Sequence, residues 1–325
     1  MKGGEMNEVR HIPVALNRCI DLLSPGIEKA IADRGSAVVV DATLGLGGHT
    51  RALLEKFEEL RIIGFDRDTA AIEIARESVA PFTDRLTIIH AVFDQIETSL
   101  NNLGIDAIDG ALFDLGVSSM QLDEADRGFA YSQEAPLDMR MDQSQGQTAH
   151  DILQNYEKNS LVRILRAYGD EKFAPRIVDN IIAARDKGVL NSTKALAELV
   201  KESIPAAARR TGGNPAKRTF QALRIEVNQE LAAVERAIPA AMKMLRVNAR
   251  IVVMSYQSLE DKIVKSYFTQ ACTSTTPRGL PVELPNSQAK FMFVINGSES
   301  ATEAEIAENP RAQSMRHRAI EKVAA

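Results

Sequence analysis

Three aspartates, each closing a short apolar run, are the residues of this chain best placed to do chemistry: Asp41 after Val38-Val39-Val40, Asp66 after Ile62-Ile63-Gly64-Phe65, and Asp114 after Ala111-Leu112-Phe113. Runs this short and this apolar read as buried parallel strands rather than helices. A glycine cluster, Gly45, Gly47 and Gly48, follows the first aspartate and leads through His49 into a helical stretch from Thr50 to Phe57. Strand, glycine turn and helix form the opening unit of an open α/β sheet, whose ligands sit outside the carboxyl ends of the strands. The turn is therefore the expected cofactor cradle, unless the glycines serve only to close a sharp bend.

Two cofactor classes use such a turn. The dinucleotide fingerprint G-x-G-x-x-G is met at Gly45 and Gly47, but its third glycine is replaced by Thr50. A carboxylate at Asp41 would repel a pyrophosphate across a few ångströms and suits a cationic ligand. These features favour S-adenosylmethionine. Asp66 lies about twenty residues past the glycines, where an acid accepts hydrogen bonds from ribose hydroxyls, and Asp68 is left to cap the following helix. Phe93, just after the third strand (Leu86 to His90), is an apolar wall for a base or else plain core. Asp114 runs into Leu115-Gly116-Val117-Ser118-Ser119, the expected reaction centre, with Asp114, Ser118 and Ser119 as its catalytic candidates.

The elements that must position these residues follow from periodicity and punctuation. A helix from His11 to Leu23, a Ser24-Pro25-Gly26 turn and a second helix from Ile27 to Arg34 lead to the first strand. A helix from Thr69 ends before Pro81. The fourth strand runs from Ile108 to Asp114, yet the next appears only at Arg250 to Ser255. One helix suffices for a parallel crossover, and Glu226 to Leu245 supplies it, with Pro239 breaking it in two. Residues 121–219 are thus surplus and read as an inserted helical domain, with helices at Asn159–Tyr168, Lys172–Lys187 and Ser192–Ser203. The main domain comprises residues 1–120 and 220–325. After a helix from Ser258 to Gln270 and a Thr- and Pro-rich loop from Thr273 to Pro285, the last strand is Lys290 to Ile295. A solvated connector and a basic tail from Arg311 to Ala325 follow.

Composition limits the rest. The 325 residues are 45% hydrophobic, enough for a large core. Met1 to Arg10 has no apolar signal-peptide centre and no stretch approaches a membrane span, so a cytoplasmic protein without membrane contact is expected. Cys19 and Cys272 lie far apart without metal-type spacing, and no metal is expected. A net charge of −5 argues against a protein that coats nucleic acid. Local charge decides contacts, however. Ser203 to Ile225 carries Arg209, Arg210, Lys217, Arg218 and Arg224 with no acid, around a flexible Gly212-Gly213, and suits phosphate contacts. Phe220, in the same segment, stacks on a base or packs in the core.

Taken together, Asp41-Ala42-Thr43-Leu44-Gly45-Leu46-Gly47-Gly48-His49, Gly64-Phe65-Asp66-Arg67-Asp68, Asp114-Leu115-Gly116-Val117-Ser118-Ser119 with Gln121-Leu122-Asp123, Arg127-Gly128-Phe129, Pro136 to Asp142, Arg218 to Ile225, Ser258-Leu259-Glu260-Asp261 and Asn309-Pro310-Arg311 resemble a known family. Its members are bacterial enzymes that methylate the exocyclic N4 of a cytidine in the decoding region of 16S ribosomal RNA. The resemblance runs from His11 to about Lys322. It implies a Rossmann-like class I methyltransferase domain interrupted by a helical insertion, with cofactor contacts at Gly47, Gly48, His49, Asp66, Phe93, Asp114 and Gln121. It also implies small-subunit ribosomal RNA, free or in an assembled 30S-type particle, as partner; a homodimer is compatible with the sequence. The chain departs from the family at Arg246 to Ala249, where a Pro-Gly-Gly turn is usual, and at Gln257, where His is usual.

Methyl transfer to a cytosine amino group needs an acceptor for its protons, because the nitrogen lone pair is delocalised into the ring. Asp114 is the expected acceptor, in a cleft between its loop and the insertion into which the base is splayed. Two other classes compete: a nicotinamide-dependent oxidoreductase, which lacks the third glycine, and an RNA-binding assembly factor that keeps the fold without turnover.

Overall fold

The computed structural model describes residues 13–210, 214–277, 284 and 287–324, apart from the side chains of Ser119 and Arg210. The expectations for Met1 to Arg10, the start of the first helix at His11, Gly212-Gly213 and most of the 278–286 stretch lie outside them. In chain order the elements are α1 (Leu16–Arg34), β1 (Ala37–Asp41), α2 (Gly48–Lys56), β2 (Leu60–Asp66), α3 (Thr69–Ser78), β3 (Leu86–His90), α4 (Ile96–Asn102) and β4 (Ile108–Asp114). There follow α5 (Ser119–Asp123), α6 (Ala149–Asn155), α7 (Lys158–Gly169), α8 (Ala174–Asp186), α9 (Thr193–Ser203) and α10 (Lys217–Asn228). The chain then returns through α11 (Glu230–Met244), β5 (Leu245–Ser255), α12 (Ser258–Ala271), β6 (Phe291–Phe293), α13 (Glu303–Glu308) and β7 (Arg316–Lys322).

Two compact units result. The first, residues 1–115 with 234–325, holds one seven-stranded sheet in the order β3-β2-β1-β4-β5-β7-β6. Strands β1 to β5 run parallel, and β7 enters antiparallel between β5 and β6. Period-two alternation divides the strand residues between two cores. Val40, Ile63, Phe113 and Val253 pack with Ile96 and Leu100 of α4, Ala237 and Ile238 of α11, and Val264 and Phe268 of α12. Val39, Ile62, Leu112 and Val252 face Leu23 and Ile27 of α1 and Leu53 of α2. The result is the Rossmann-like α/β/α layering that the sequence predicts.

Three expectations for this unit are corrected. Residues 16–34 form one helix with Pro25 inside it, not two around a turn. Gly26 belongs to that helix for close packing: a Cβ there would stand 3.0 Å from the Asp109 carbonyl oxygen and 3.1 Å from that of Asn248. Pro239 likewise sits within α11, which stays continuous because Val234, Ala237, Ile238 and Ala241 bind it to the core. The break comes instead at Gln229, with φ +51°. The basic tail is strand β7, whose charges hide its period. Arg318 is forked onto Asp261 of α12 at 2.7 and 3.0 Å, and Glu321 accepts from Arg250 at 2.8 Å. Where the Pro-Gly-Gly turn is replaced, the β4–β5 register shifts and Asn248 takes φ +70°, a conformation Asn tolerates better than most residues.

The second unit, residues 116–233, is helical. The boundaries differ from the expected 120/121 and 219/220 because α5 and α10 both belong to it. Phe220 and Leu223 of α10 share a core with Leu161, Ile164 and Leu165 of α7. At Gly169, a Cβ would lie 2.5 Å from the Arg218 carbonyl oxygen, so only glycine lets α7 and α10 approach this closely. The helices expected at 159–168, 172–187 and 192–203 are α7, α8 and α9.

Candidate active site

Asp41 ties together the residues that flank the glycine loop, Thr43 and Thr50. This carboxylate is 1% exposed. Its Oδ2 accepts from Thr50 Oγ1 at 2.7 Å and its Oδ1 from the Thr43 amide at 3.2 Å. Thr50, the residue that spoils the dinucleotide fingerprint, is thus the hydroxyl that satisfies the buried acid. Burial pushes the Asp41 carboxyl up from its ordinary range, against the Thr50 hydrogen bond. Gly45 (φ +52°) and Gly47 (φ +80°) adopt the left-handed conformation, and a Cβ at Gly48 would lie 2.3 Å from the Pro13 ring. Part of the glycine requirement is therefore steric. Beyond Gly45 the space is open: a Cβ there would meet nothing nearer than the Thr43 carbonyl oxygen at 3.9 Å. His49 is buried, with Nε2 3.1 Å from the Val14 carbonyl oxygen. It joins the loop to the segment ahead of α1.

Asp66 closes β2 beside the same loop. Its Oδ2 accepts from the Gly45 amide at 2.8 Å and its Oδ1 from the Asp68 amide at 2.8 Å. Asp68 caps α3 through Ala70, as the sequence predicts. Burial raises the Asp66 carboxyl to about 6. A carboxylate offers about four acceptor positions, so these two bonds leave capacity for the ribose role. Phe93 opens a short 3₁₀ turn and stands edge-on to Phe113 of β4, centroids 5.8 Å apart. It is half-buried against the core.

Asp114 ends β4 next to β1. Its amide donates to Thr43 Oγ1 at 2.6 Å, and its Oδ1 accepts from the Tyr256 hydroxyl at 2.7 Å. Tyr256 follows the last residue of β5, the strand paired with β4. Neither Thr43 nor Tyr256 is a candidate on sequence. The available signal is the one that selects the aspartates, a polar residue just past the carboxyl end of an apolar strand. Gln257 is the N-cap of α12, and its amide donates to Glu260 at 3.1 Å.

The remaining candidates belong to the helical unit. Ser118 caps α5, its Oγ accepting from the Gln121 amide at 3.3 Å while Gln121 Oε1 accepts from the Ser118 amide at 3.1 Å. This capping box fixes the orientation of both side chains. The Arg127 and Pro136–Asp142 motifs are structural here. Gly128 fits under the Pro136 carbonyl, Arg127 Nη2 donates to the Met141 carbonyl at 2.8 Å, and Asn228 bonds the backbone of Met139 and Met141.

The five basic candidates divide. Arg224 is forked onto Glu230 at 2.8 and 2.9 Å, the pair being 15% and 8% exposed, so its charge is already neutralised. Arg209 and Arg218 donate to carbonyls at the ends of α9 and α7, Ile204 at 2.7 Å and Asp170 at 2.9 Å. Lys217 is exposed. The Arg210 side chain lies outside the described residues. Between Lys158 and Arg224 there are 14 basic and 6 acidic residues, so positive charge extends well beyond the 203–225 segment.

Among the described residues no group of three His, Cys, Asp or Glu is arranged to hold a metal ion, and no helix is long and apolar enough to cross a membrane. Both cysteines are free.

Comparison with known proteins places this architecture. The chain is 55% identical over 314 residues to ribosomal RNA small subunit methyltransferase H of Renibacterium salmoninarum, covering 97% of this chain and 95% of that protein. It is 54% identical to the proteins of that name from Streptomyces avermitilis, over 98% of both chains, and from Thermobifida fusca, over 96% of this chain and 93% of the other. A family model, described as the MraW methylase family, matches residues 8–323. With that pattern met along almost the whole sequence and more than half the aligned positions shared with these relatives, the chain belongs to the MraW methylase family.

Proposed function

We propose that this protein transfers a methyl group from S-adenosylmethionine to the exocyclic N4 of a cytidine in the decoding region of small-subunit (16S) ribosomal RNA. The observation that carries the reading is the gathering of Asp41, Asp66 and Asp114 at the carboxyl ends of β1, β2 and β4 around an open glycine loop. Three carboxylates in one partly buried place favour a cation over an anion. The relatives' shared name, ribosomal RNA small subunit methyltransferase H, supports the RNA substrate. The decoding-region cytidine follows from the resemblance of the motifs.

The residues present fit this cofactor. Asp66 would take the ribose hydroxyls, Gly45 to Gly48 would allow close backbone approach, Asp41 would hold the loop and balance positive charge, and Phe93 would border the base. Gln121 and His49 enter as contacts on the family resemblance. When bound, the cofactor supplies a methyl group already activated by its sulfonium charge, so the protein's main task is positioning.

The harder task is the acceptor. Asp114 accepts a hydrogen bond from the cytosine amino group, drawing the nitrogen toward a tetrahedral, nucleophilic form as the new C–N bond develops. Ser118 and Ser119, the cap and first residue of α5, follow it in the chain and remain catalytic candidates on the sequence. The displaced proton departs to water or to a carboxylate. On the RNA side, Arg209, Arg210, Lys217 and Arg218 supply phosphate contacts that set register without reading sequence.

The test is a methyl count. Naked small-subunit RNA and assembled small subunits, both from cells without this activity, are incubated with labelled S-adenosylmethionine, and the RNA is digested to nucleosides. One N4-methylcytidine per RNA in either substrate supports the reading. Methylation at carbon or at another base, or none in both substrates, overturns it.

A further inference from the structure

The hydrogen bond from Tyr256 to Asp114 crosses from one strand end to the next. Met254 pairs in register with Asp114, and the Leu115 amide donates to the Met254 carbonyl at 2.9 Å, so the β4–β5 ladder stays closed up to the site. Two residues further on, the Tyr256 hydroxyl reaches back across the ladder to Asp114 Oδ1 at 2.7 Å. The tyrosine is itself fixed. Its amide donates to Glu260 Oε2 at 3.1 Å, the same oxygen that takes the Gln257 amide, and Glu260 is 1% exposed. Its ring packs against the core on the α1 side of the sheet. Asp114 thus meets a side-chain donor at its carboxylate and a hydroxyl, that of Thr43, at its backbone.

We propose that Tyr256 is a positioning residue for Asp114: its hydroxyl orients the carboxylate as a hydrogen-bond acceptor toward the reacting amine. This rests on the reading of Asp114 given above. Tyr256 is not itself the base. Burial and the neighbouring Asp114 charge push its phenol far above the ordinary tyrosine value, so it remains an O–H donor wherever the enzyme works. Gln257, beside it, cannot take a proton at neutral pH either. Asp114, oriented by Tyr256, is then the group on this strand edge that can carry the acceptor role.

Tyr256→Phe removes one oxygen and tests the assignment. The expected result is a ten- to hundredfold fall in kcat with KM for cofactor and for RNA within about threefold of the parent. The acid limb of the kcat profile should also move up by about one pH unit, because a carboxylate that loses a donor is protonated more easily. Among the described residues, the titratable groups that feel the Asp114 charge include Asp41 from β1, the buried Cys19 thiol from α1 and Tyr256 after β5. Asp41 keeps Thr43 and Thr50 in the variant, so its share of the profile is common to both proteins. Incorporating 3-fluorotyrosine at position 256 restores a hydroxyl of greater acidity and a stronger donor; turnover should recover and the limb should move below its original place. A parental kcat and profile in Tyr256→Phe overturns the proposal. So does a loss of kcat with an unmoved profile, which marks a merely structural role. If the Phe variant does not fold, failure of the fluorotyrosine protein to shift the limb downward overturns it as well. Asp114→Asn separates the two ideas: parental turnover there removes the reading of Asp114 itself, whatever Tyr256→Phe shows.

Discussion

Asp66 Oδ2 and the Gly45 amide are hydrogen bonded at 2.8 Å, so the acid expected to bind a ribose also holds the glycine loop of the neighbouring strand. On the proposed reading, one carboxylate serves both the loop and the ligand.

That double role has a pH signature. Burial lifts Asp66 to about 6. A folded value above the unfolded one means that, in the ligand-free protein, this group favours the fold at low pH and its contribution is lost as pH rises through about 6. Ribose hydroxyls donate to the ionised form, so cofactor binding acts in the opposite sense. Calorimetric affinity for S-adenosylmethionine should be highest above about pH 6 and fall by up to about tenfold per unit below it. Asp66→Asn should bind weakly and without that dependence.

Replacing Asp114 by Asn keeps the shape of the side chain and removes its capacity as an anionic acceptor. At saturating cofactor and RNA, turnover should fall by about a hundredfold or more. Cofactor affinity, measured separately, should change far less than turnover.

Thr50 satisfies a carboxylate with almost no access to water. Thr50→Val preserves volume but leaves Asp41 Oδ2 without that donor. Unfolding in urea should show a loss of roughly 1–3 kcal/mol, the cost of stranding a buried acceptor. Thr50→Gly, which would complete the dinucleotide fingerprint, should not create NAD binding, because Asp41 remains.

The basic residues separate by their partners. Replacing Arg209, Arg210 and Lys217 together by Ala should weaken RNA binding at every salt concentration and flatten its salt dependence by about 0.7 in slope for each phosphate no longer neutralised. Arg224→Ala should instead strand Glu230 and destabilise the helical unit by about 3 kcal/mol. Its mark should appear in thermal unfolding before the salt slope. Equal salt slopes for the triple variant and its parent would remove these residues from the RNA surface.

The sequence by itself determined the parallel strands β1 to β4, the glycine turn, the acids at the strand ends and the helical nature of the insertion. Those features are local: short apolar runs, a glycine cluster and helical spacing carry their meaning within a dozen residues. What the tertiary structure alone decided depends on partners far away in the chain. The Arg316-His317-Arg318 stretch reads as a tail until Asp261 on α12 neutralises Arg318 and β5 offers its edge. Pro25 and Pro239 read as breaks until packing on both sides of the sheet keeps α1 and α11 continuous through them. Tyr256 reads as an unremarked residue after a strand until Asp114, 142 positions earlier, lies 2.7 Å from its hydroxyl. Local propensity is weak beside burial and charge pairing, and those are properties of the folded chain.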